Sequence, residues 1–222
     1  MKRIRGQNLV VILIATLFAT GLASVVAAQV ARQAQETKRV KTPRERIAER
    51  NLPNITLTTH EGRKVKFYDD LIKDKIVILN FMYAKCEGIC PGTTANLVKL
   101  QRVLGDRVGK DIFMYSITLD PERDTPAVLN RYAKAYHTKP GWLFLTGNPK
   151  DVELLRRSLG FIDLDPLRDA NKSNHIGMLR YGNEARQLWA GCPGTMQPSK
   201  IAKLIGLVDW PEAEEARRGG DR

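Results

Sequence analysis

The stretch over residues 76–91 constrains the fold more than any other part of the chain. Residues 76–81 are apolar apart from Asn80, as is typical of a strand buried in a central parallel sheet. Cys86 and Cys90 follow this strand, and Pro91 is suited to open a helix. Backbone N–H groups and the positive end of a helix dipole favour the thiolate, which attacks disulfides and binds soft metals. The sequence therefore predicts a strand–turn–helix unit that carries two reactive thiols.

The rest of the chain alternates between strand-like and helix-like segments. The first two and the last two predicted strands form hairpins, and the first hairpin turns at His60-Glu61-Gly62. This order is typical of an α/β fold in which helices flank a central mixed sheet, with a hairpin at the N-terminus. Strands are predicted over residues 54–58, 64–67, 76–81, 112–119, 142–146, 176–181 and 186–190, and helices over 91–104, 126–136, 149–159 and 198–207.

Three separate stretches are expected to converge at one edge of this sheet. Strand–helix–strand connections within a sheet are right-handed and parallel, so the carboxyl ends of the strands share an edge. Cys86 follows one such end, and Asp120 follows the next. If the strand over 176–181 runs antiparallel, His175 lies at the same edge. Ligand sites of open α/β sheets form there.

Two thiolates and one imidazole favour copper. Soft sulfur selects Cu(I), and imidazole also suits Cu(II). Three residues between Cys86 and Cys90 leave room for a metal ion between the sulfurs, and an internal disulfide stays open as an alternative. Structural zinc usually has four closed ligands, whereas this chain has three Cys and three His in spacings that match no zinc module. The predicted metal ligands are Cys86, Cys90 and His175, and Asp120 is predicted to support them from outside the ligand set.

The N-terminus indicates export. Three basic residues within residues 2–5 precede an uncharged apolar run over 9–28. This run suits either a cleaved signal peptide or a single transmembrane anchor, and basic residues stay on the cytoplasmic side in both cases. We therefore expect a periplasmic or otherwise extracytoplasmic protein, held at the inner membrane by residues 9–28 if they are not cleaved.

Four segments are predicted. Residues 1–28 are the signal peptide or anchor, 29–50 a polar basic linker, 51–210 the folded domain, and 211–222 a disordered charged tail. The formal net charge is +12, and removal of residues 1–28, which hold three basic and no acidic residues, leaves +9. Export argues against nucleic acid as the partner, so the basic excess indicates an anionic membrane surface or an acidic protein.

The chain resembles the Sco/SenC family of copper-binding, thioredoxin-fold proteins that help to assemble cytochrome c oxidase. The resemblance covers about residues 51–207 and is most specific over 81–91, over 116–126, over 143–147 and at His175 before an apolar strand. It implies a thioredoxin-like fold and maps the copper ligands of the family onto Cys86, Cys90 and His175. The implied function is a copper chaperone whose partner is the copper-site subunit of a terminal oxidase. Many members have an acidic residue where this chain has Asn174, which affects how the imidazole is oriented.

Other functions stay open at this stage. Cys86 and Cys90 could be the redox pair of a thiol:disulfide oxidoreductase without permanent metal, in which Cys86 attacks a disulfide and Cys90 resolves the intermediate. The protein could also be a redox or copper sensor that binds a partner and does no chemistry. The same two cysteines could form an ordinary structural disulfide, although a bond that closes so short a loop stabilises little. Cys192 lies outside the recognised pattern and is interpreted as a bystander.

Overall fold

The computed structural model describes residue 29 and residues 42–172 and 177–209. The chain divides into two units, Met1–Pro43 and Arg44–Arg222, and every strand found among the described residues lies in the second. The predicted signal or anchor over 1–28 and the predicted tail over 211–222 fall outside the described residues, as does His175. No helix among the described residues is both long and apolar enough to cross a membrane.

A mixed sheet of seven strands forms the centre of the second unit. The strands are β1 (Thr56–Thr59), β2 (Lys64–Lys66), β3 (Ile76–Met82), β4 (Ile112–Thr118), β5 (Trp142–Gly147), β6 (Met178–Asn183) and β7 (Leu188–Pro193). Their order across the sheet is β2-β1-β5-β4-β3-β6-β7. Strands β3, β4 and β5 are parallel, whereas the β1–β2 and β6–β7 hairpins pair with them antiparallel. The predicted α/β class and both predicted hairpins are thus confirmed.

Burial explains why the three parallel strands lie inside the sheet. Every residue of β3 is buried, and all of β4 except Phe113 is buried. Such runs are apolar on both faces because helices cover both sides of a parallel sheet. The helices are α1 (Pro43–Asn51), α2 (Ile89–Leu104), α3 (Pro126–Ala135), α4 (Pro149–Ser158), α5 (Pro166–Asp169) and α6 (Pro198–Val208).

Helix α2 begins two residues earlier than predicted, which brings Cys90 into its first turn. It buries Leu97 and Leu100 and packs against α6. Helix α3 begins as predicted, because the Thr125 side chain accepts a hydrogen bond from the Val128 N–H and Pro126 occupies the first turn.

Helix α1 lies inside the segment that was predicted to be a linker up to residue 50, and it is tied to the sheet through Glu184. The Glu184 carboxylate, fully buried after β6, accepts hydrogen bonds from Arg44 of α1 (Nε, 3.1 Å), from the Tyr68 hydroxyl (2.9 Å) and from the Asp74 N–H (2.9 Å). Arg44 also contacts the Asp74 carboxylate at 2.8 Å. A buried carboxylate needs such donors, so this cluster joins α1, the turn before β3 and the β6–β7 hairpin.

Candidate metal and thiol site

The two cysteines lie where β3 ends and α2 begins. Cys86 is in the connecting loop and its N–H donates to the Tyr83 carbonyl at 3.2 Å, while Cys90 is in the first turn of α2. Both side chains are buried, both are free thiols, and the two sulfurs are hydrogen-bonded to each other. The structure therefore places the pair side by side, as a shared site for one soft metal ion or one disulfide requires.

The electrostatics of the two thiols are unequal. Burial by itself raises the pKa of Cys86, but hydrogen bonds from the Cys90 thiol, the N–H groups of Cys90 and Gly88, and Tyr83 together lower it below its ordinary value. Burial raises the pKa of Cys90 to about 12, and the hydrogen bond with Cys86 adds to the increase. Of the two thiols, Cys86, next to the N-terminus of α2, is therefore the one that loses its proton more readily.

Asp124 holds the loop that carries Cys86. Its buried carboxylate accepts a hydrogen bond from the Ala84 N–H at 2.9 Å and another from the Thr118 hydroxyl, at the end of β4, at 2.6 Å. The carboxylate therefore fixes the backbone just before Cys86 against the neighbouring strand. Sequence reasoning missed this residue, because its place directly before a helix N-cap already gave it a local explanation.

Asp120 lies at the predicted sheet edge, one strand away from the cysteine loop. The N–H of Leu119 donates to the Met82 carbonyl at 2.8 Å, so the segments that leave β3 and β4 run side by side. The Asp120 carboxylate is buried and pairs with Arg123 at 2.6 Å and with Lys172 at 3.9 Å. The structure therefore places Asp120 beside the site and gives it two cationic partners.

Both flanks of residues 173–176 lie at this same edge. On one side Lys172 reaches Asp120, as described above. On the other side lies Gly177, whose φ is +116°. A Cβ at this position would lie 2.9 Å from the side chain of Ile89, which is the first residue of α2. Strand β6 runs antiparallel to β3, as expected, so its start lies at the carboxyl end of β3. His175, within 173–176, lies outside the described residues, and within residues 42–172 and 177–209 no group of three or more His, Cys, Asp or Glu could hold a metal ion.

Part of the polar loop before His175 is anchored to helix α4. The Arg156 side chain of α4 is buried and forms two hydrogen bonds of 2.9 Å with the Asp169 carboxylate of α5. Glu153 contacts the same guanidinium at 2.8 Å through both oxygens. The sequence showed a run of charges here, but only the fold brings Arg156 and Asp169 together.

Cys192 lies on a different element of the fold from Cys86 and Cys90. It lies on β7 opposite Leu179, its side chain is buried, and burial raises its pKa. Cysteines that serve only to fill an apolar interior are typically unreactive, which supports the interpretation of Cys192 as a bystander.

Comparisons with known proteins agree with this architecture. A family model described as SCO1/SenC matches residues 45–203. A SCO2-like protein of Rickettsia felis is 33% identical over 87 residues, which are 39% of this chain and 41% of that protein. The matched region thus spans less than half the length of this relative.

Two solved structures show the same fold. Yeast Sco1 with copper bound has a TM-score of 0.56 at 22% identity and covers 70% of this chain and 90% of its own. BsSco, described as a member of the Sco family of cytochrome c oxidase assembly proteins with a disulfide switch, has a TM-score of 0.54 at 24% identity and covers 69% and 90%. The thioredoxin-like α/β fold predicted from the resemblance is thereby confirmed. Because the family model spans well over half of the 222 residues, this chain belongs to the SCO1/SenC family.

Proposed function

We propose that this protein is an exported copper chaperone. It binds one copper ion through Cys86, Cys90 and His175 and delivers it to the dinuclear copper site of cytochrome c oxidase during assembly. The observation that carries the proposal is the pair of adjacent buried thiols at the β3–α2 turn, one of them with a lowered pKa. Copper-bound yeast Sco1 and the assembly role named for BsSco support the choice of metal and of partner.

The donor set fits copper on chemical grounds. Thiolate sulfur is the soft ligand that Cu(I) prefers, and a neutral imidazole accommodates both oxidation states. The residues that flank 173–176, Lys172 and Gly177, lie beside Asp120 and Ile89, at the sheet edge that also carries the thiols. Two or three ligands leave a side open, and thiolates of an acceptor can then take the ion by ligand exchange.

Export and membrane contact are part of the same proposal. The basic N-terminus followed by the apolar run over 9–28 supports an extracytoplasmic location, with the membrane as a further partner if the run is retained. The net charge of +9 over residues 29–222 suits an acidic docking face on the oxidase subunit.

A second function, thiol:disulfide oxidoreductase, is favoured by the unequal thiols. The Cys86 thiolate would attack a target disulfide and form a mixed disulfide, with one target sulfur leaving as a thiolate. Cys90 would then lose its proton and displace the second target sulfur, so that the target becomes a dithiol and the Cys86–Cys90 pair a disulfide. A low pKa on the attacking thiol and a high pKa on the resolving one suit these roles.

His175 separates the two functions. The variant His175→Ala is expected to weaken copper binding by about tenfold or more, because the imidazole is lost from the ligand set, while it leaves thiol–disulfide exchange close to the parent rate. The measurements are copper affinity by competition with a Cu(I) chelator and reduction of a disulfide peptide. The matched control is His137→Ala, a histidine that follows α3. Unchanged copper affinity in His175→Ala would remove this residue from the proposed site.

Asp124 is expected to act on copper through the loop that it holds. Asp124→Ala should weaken copper binding about tenfold, as is typical when a group that orients metal ligands is removed. Asp124→Asn should recover much of the affinity, because its amide oxygen can still accept the Ala84 N–H. Competition titrations of both variants test this, with the exposed Asp106→Ala as the control. Parent-like affinity in Asp124→Ala would show that the loop keeps its position without the carboxylate.

A further inference from the structure

The side chain of Arg180 has an unusual environment on the β6–β7 hairpin. Its guanidinium is half-buried, and its one hydrogen bond to a described residue runs from Nη1 to the Leu159 carbonyl at 2.6 Å. Nε is buried without any partner, and no carboxylate pairs with this side chain among the described residues. Buried cations are normally paired, so this charge lacks the counter-ion that its environment calls for.

The guanidinium is suited to bind a carboxylate. It is planar and carries several N–H donors, which match the oxygens of a carboxylate. Among the described residues, the contact with Leu159 uses Nη1 alone and leaves the buried Nε without an acceptor. Gly160, with φ +76°, lets the turn after α4 close over Nη1, because a Cβ there would lie 3.3 Å from it. The hydrogen bond to Leu159 therefore accounts for Nη1 and not for the buried Nε.

A groove of about 360 Å³ adjoins Arg180. Its walls are apolar or aromatic apart from this one guanidinium, and we call it the Arg180 groove after its main lining residues: Leu159, Phe161, Ile162, Met178, Arg180 and Trp189. The Trp189 ring lies 5.8 Å from the guanidinium carbon, while Ile162 and Met178 are 47% and 46% exposed at the surface. None of the described residues that line the groove is acidic. An apolar groove of this volume with one cation in its wall resembles the small-molecule sites of other proteins, in which a few polar groups orient an apolar ligand.

We propose that the Arg180 groove binds a small apolar monocarboxylate, with the carboxylate paired to the guanidinium of Arg180 and the apolar body against Trp189 and Ile162. This ligand supplies the counter-ion that the guanidinium lacks. Burial also lowers the pKa of Arg180, as expected for a cation without a counter-ion, and a bound carboxylate would reverse that effect. The site is separate from the cysteine pair and does not depend on copper.

The test compares phenylacetate with phenylacetamide, which has nearly the same shape and no charge. Binding to the full-length chain is followed by ligand-observed NMR and by tryptophan fluorescence. We expect the acid to bind at least tenfold more tightly than the amide, since hydrogen bonds to charged groups are the stronger ones. Equal binding of acid and amide, or no binding of the acid to the parent protein, would overturn the proposal.

Two variants locate the site. Arg180→Leu should abolish the preference for the acid, but it also removes the tie to the Leu159 carbonyl. Ile162→Glu avoids this difficulty, because it puts a negative charge at the exposed side of the groove and leaves Arg180 in place, and Ile162→Gln is its uncharged control. We expect the acid to bind Ile162→Gln nearly as well as the parent and Ile162→Glu about tenfold or more weakly. Parent-like binding to both Arg180→Leu and Ile162→Glu would place the ligand elsewhere and refute the assignment.

Discussion

Replacement of both Cys86 and Cys90 by serine is expected to reduce copper binding from one ion per chain to almost none. Serine hydroxyls are hard, neutral donors, whereas the thiolate that the lowered pKa of Cys86 favours is a soft anionic one. The measurement is the copper-to-protein ratio of the full-length chain after loading under reducing, oxygen-free conditions and removal of free metal.

Cys192→Ser is the matched control for this experiment. It makes the same change of sulfur to oxygen at another buried cysteine, but on β7 and without a lowered pKa. We expect it to keep one copper ion per chain. If the double variant retained as much copper as Cys192→Ser, the proposed site would be wrong, and with it the chaperone function. A parent protein that holds no copper but forms a reducible Cys86–Cys90 disulfide would favour the oxidoreductase.

Of the variants that break a buried ion pair, Glu184→Ala is expected to lose the most stability. We expect the free energy of unfolding to fall by about 2–4 kcal/mol. The fully buried carboxylate accepts from Arg44, Tyr68 and the Asp74 N–H, and these donors lose their acceptor together. Arg44 is 38% exposed and can turn to water, so we expect the lower part of the range known for broken buried pairs. Chemical denaturation at neutral pH measures the difference.

The exposed pair Arg63–Glu61 provides the control. Its side chains are 63% and 48% exposed, and Glu61→Ala should cost less than about 1 kcal/mol. A loss of similar size in both variants would mean that burial of Glu184 contributes no particular stability.

The same cluster predicts a dependence on pH. Burial by itself raises the pKa of Glu184, but hydrogen bonds from Arg44, the Asp74 N–H and Tyr68 outweigh it and lower the net value. A lowered pKa in the folded state means that the carboxylate contributes stability above the pKa of the unfolded chain, about 4.3 for Glu. That contribution is lost as the pH falls through the folded pKa. Denaturation of the parent and Glu184→Gln between neutral and acidic pH should show their difference shrinking in acid; a constant difference would contradict the assignment.

The central part of the fold could be predicted because its signals are local. The mainly apolar run of β3, the capping residues Thr125 and Pro126, and the alternation of strands and helices are each visible in short stretches of the sequence. Parallel connections have one handedness, so the placement of Cys86 and Asp120 at one edge followed from element order alone. The structure confirms that edge for the described residues.

The features that were missed depend on residues far apart in the sequence. Helices α1 and α5 are short and polar, so no apolar stripe in the sequence predicts them. Their contacts with Glu184 and Arg156 form only in the folded chain. Asp124 looked like part of a helix start until the structure placed its carboxylate 40 residues back along the chain, on the Ala84 N–H. The Arg180 groove combines residues 159–162, after α4, with residues 178–180 and 189–191 of the β6–β7 hairpin.

The sequence by itself determined the family, the α/β architecture and the identity of the candidate ligands Cys86, Cys90 and His175, because residue type and spacing carry that information. Tertiary structure decided how these residues behave. Burial and hydrogen bonds at the β3–α2 turn make the two thiols unequal, Asp124 fixes their loop, and Arg180 remains without a counter-ion. The physical reason is that desolvation and hydrogen bonding depend on which atoms surround a group, and only packing across the whole sheet determines those neighbours.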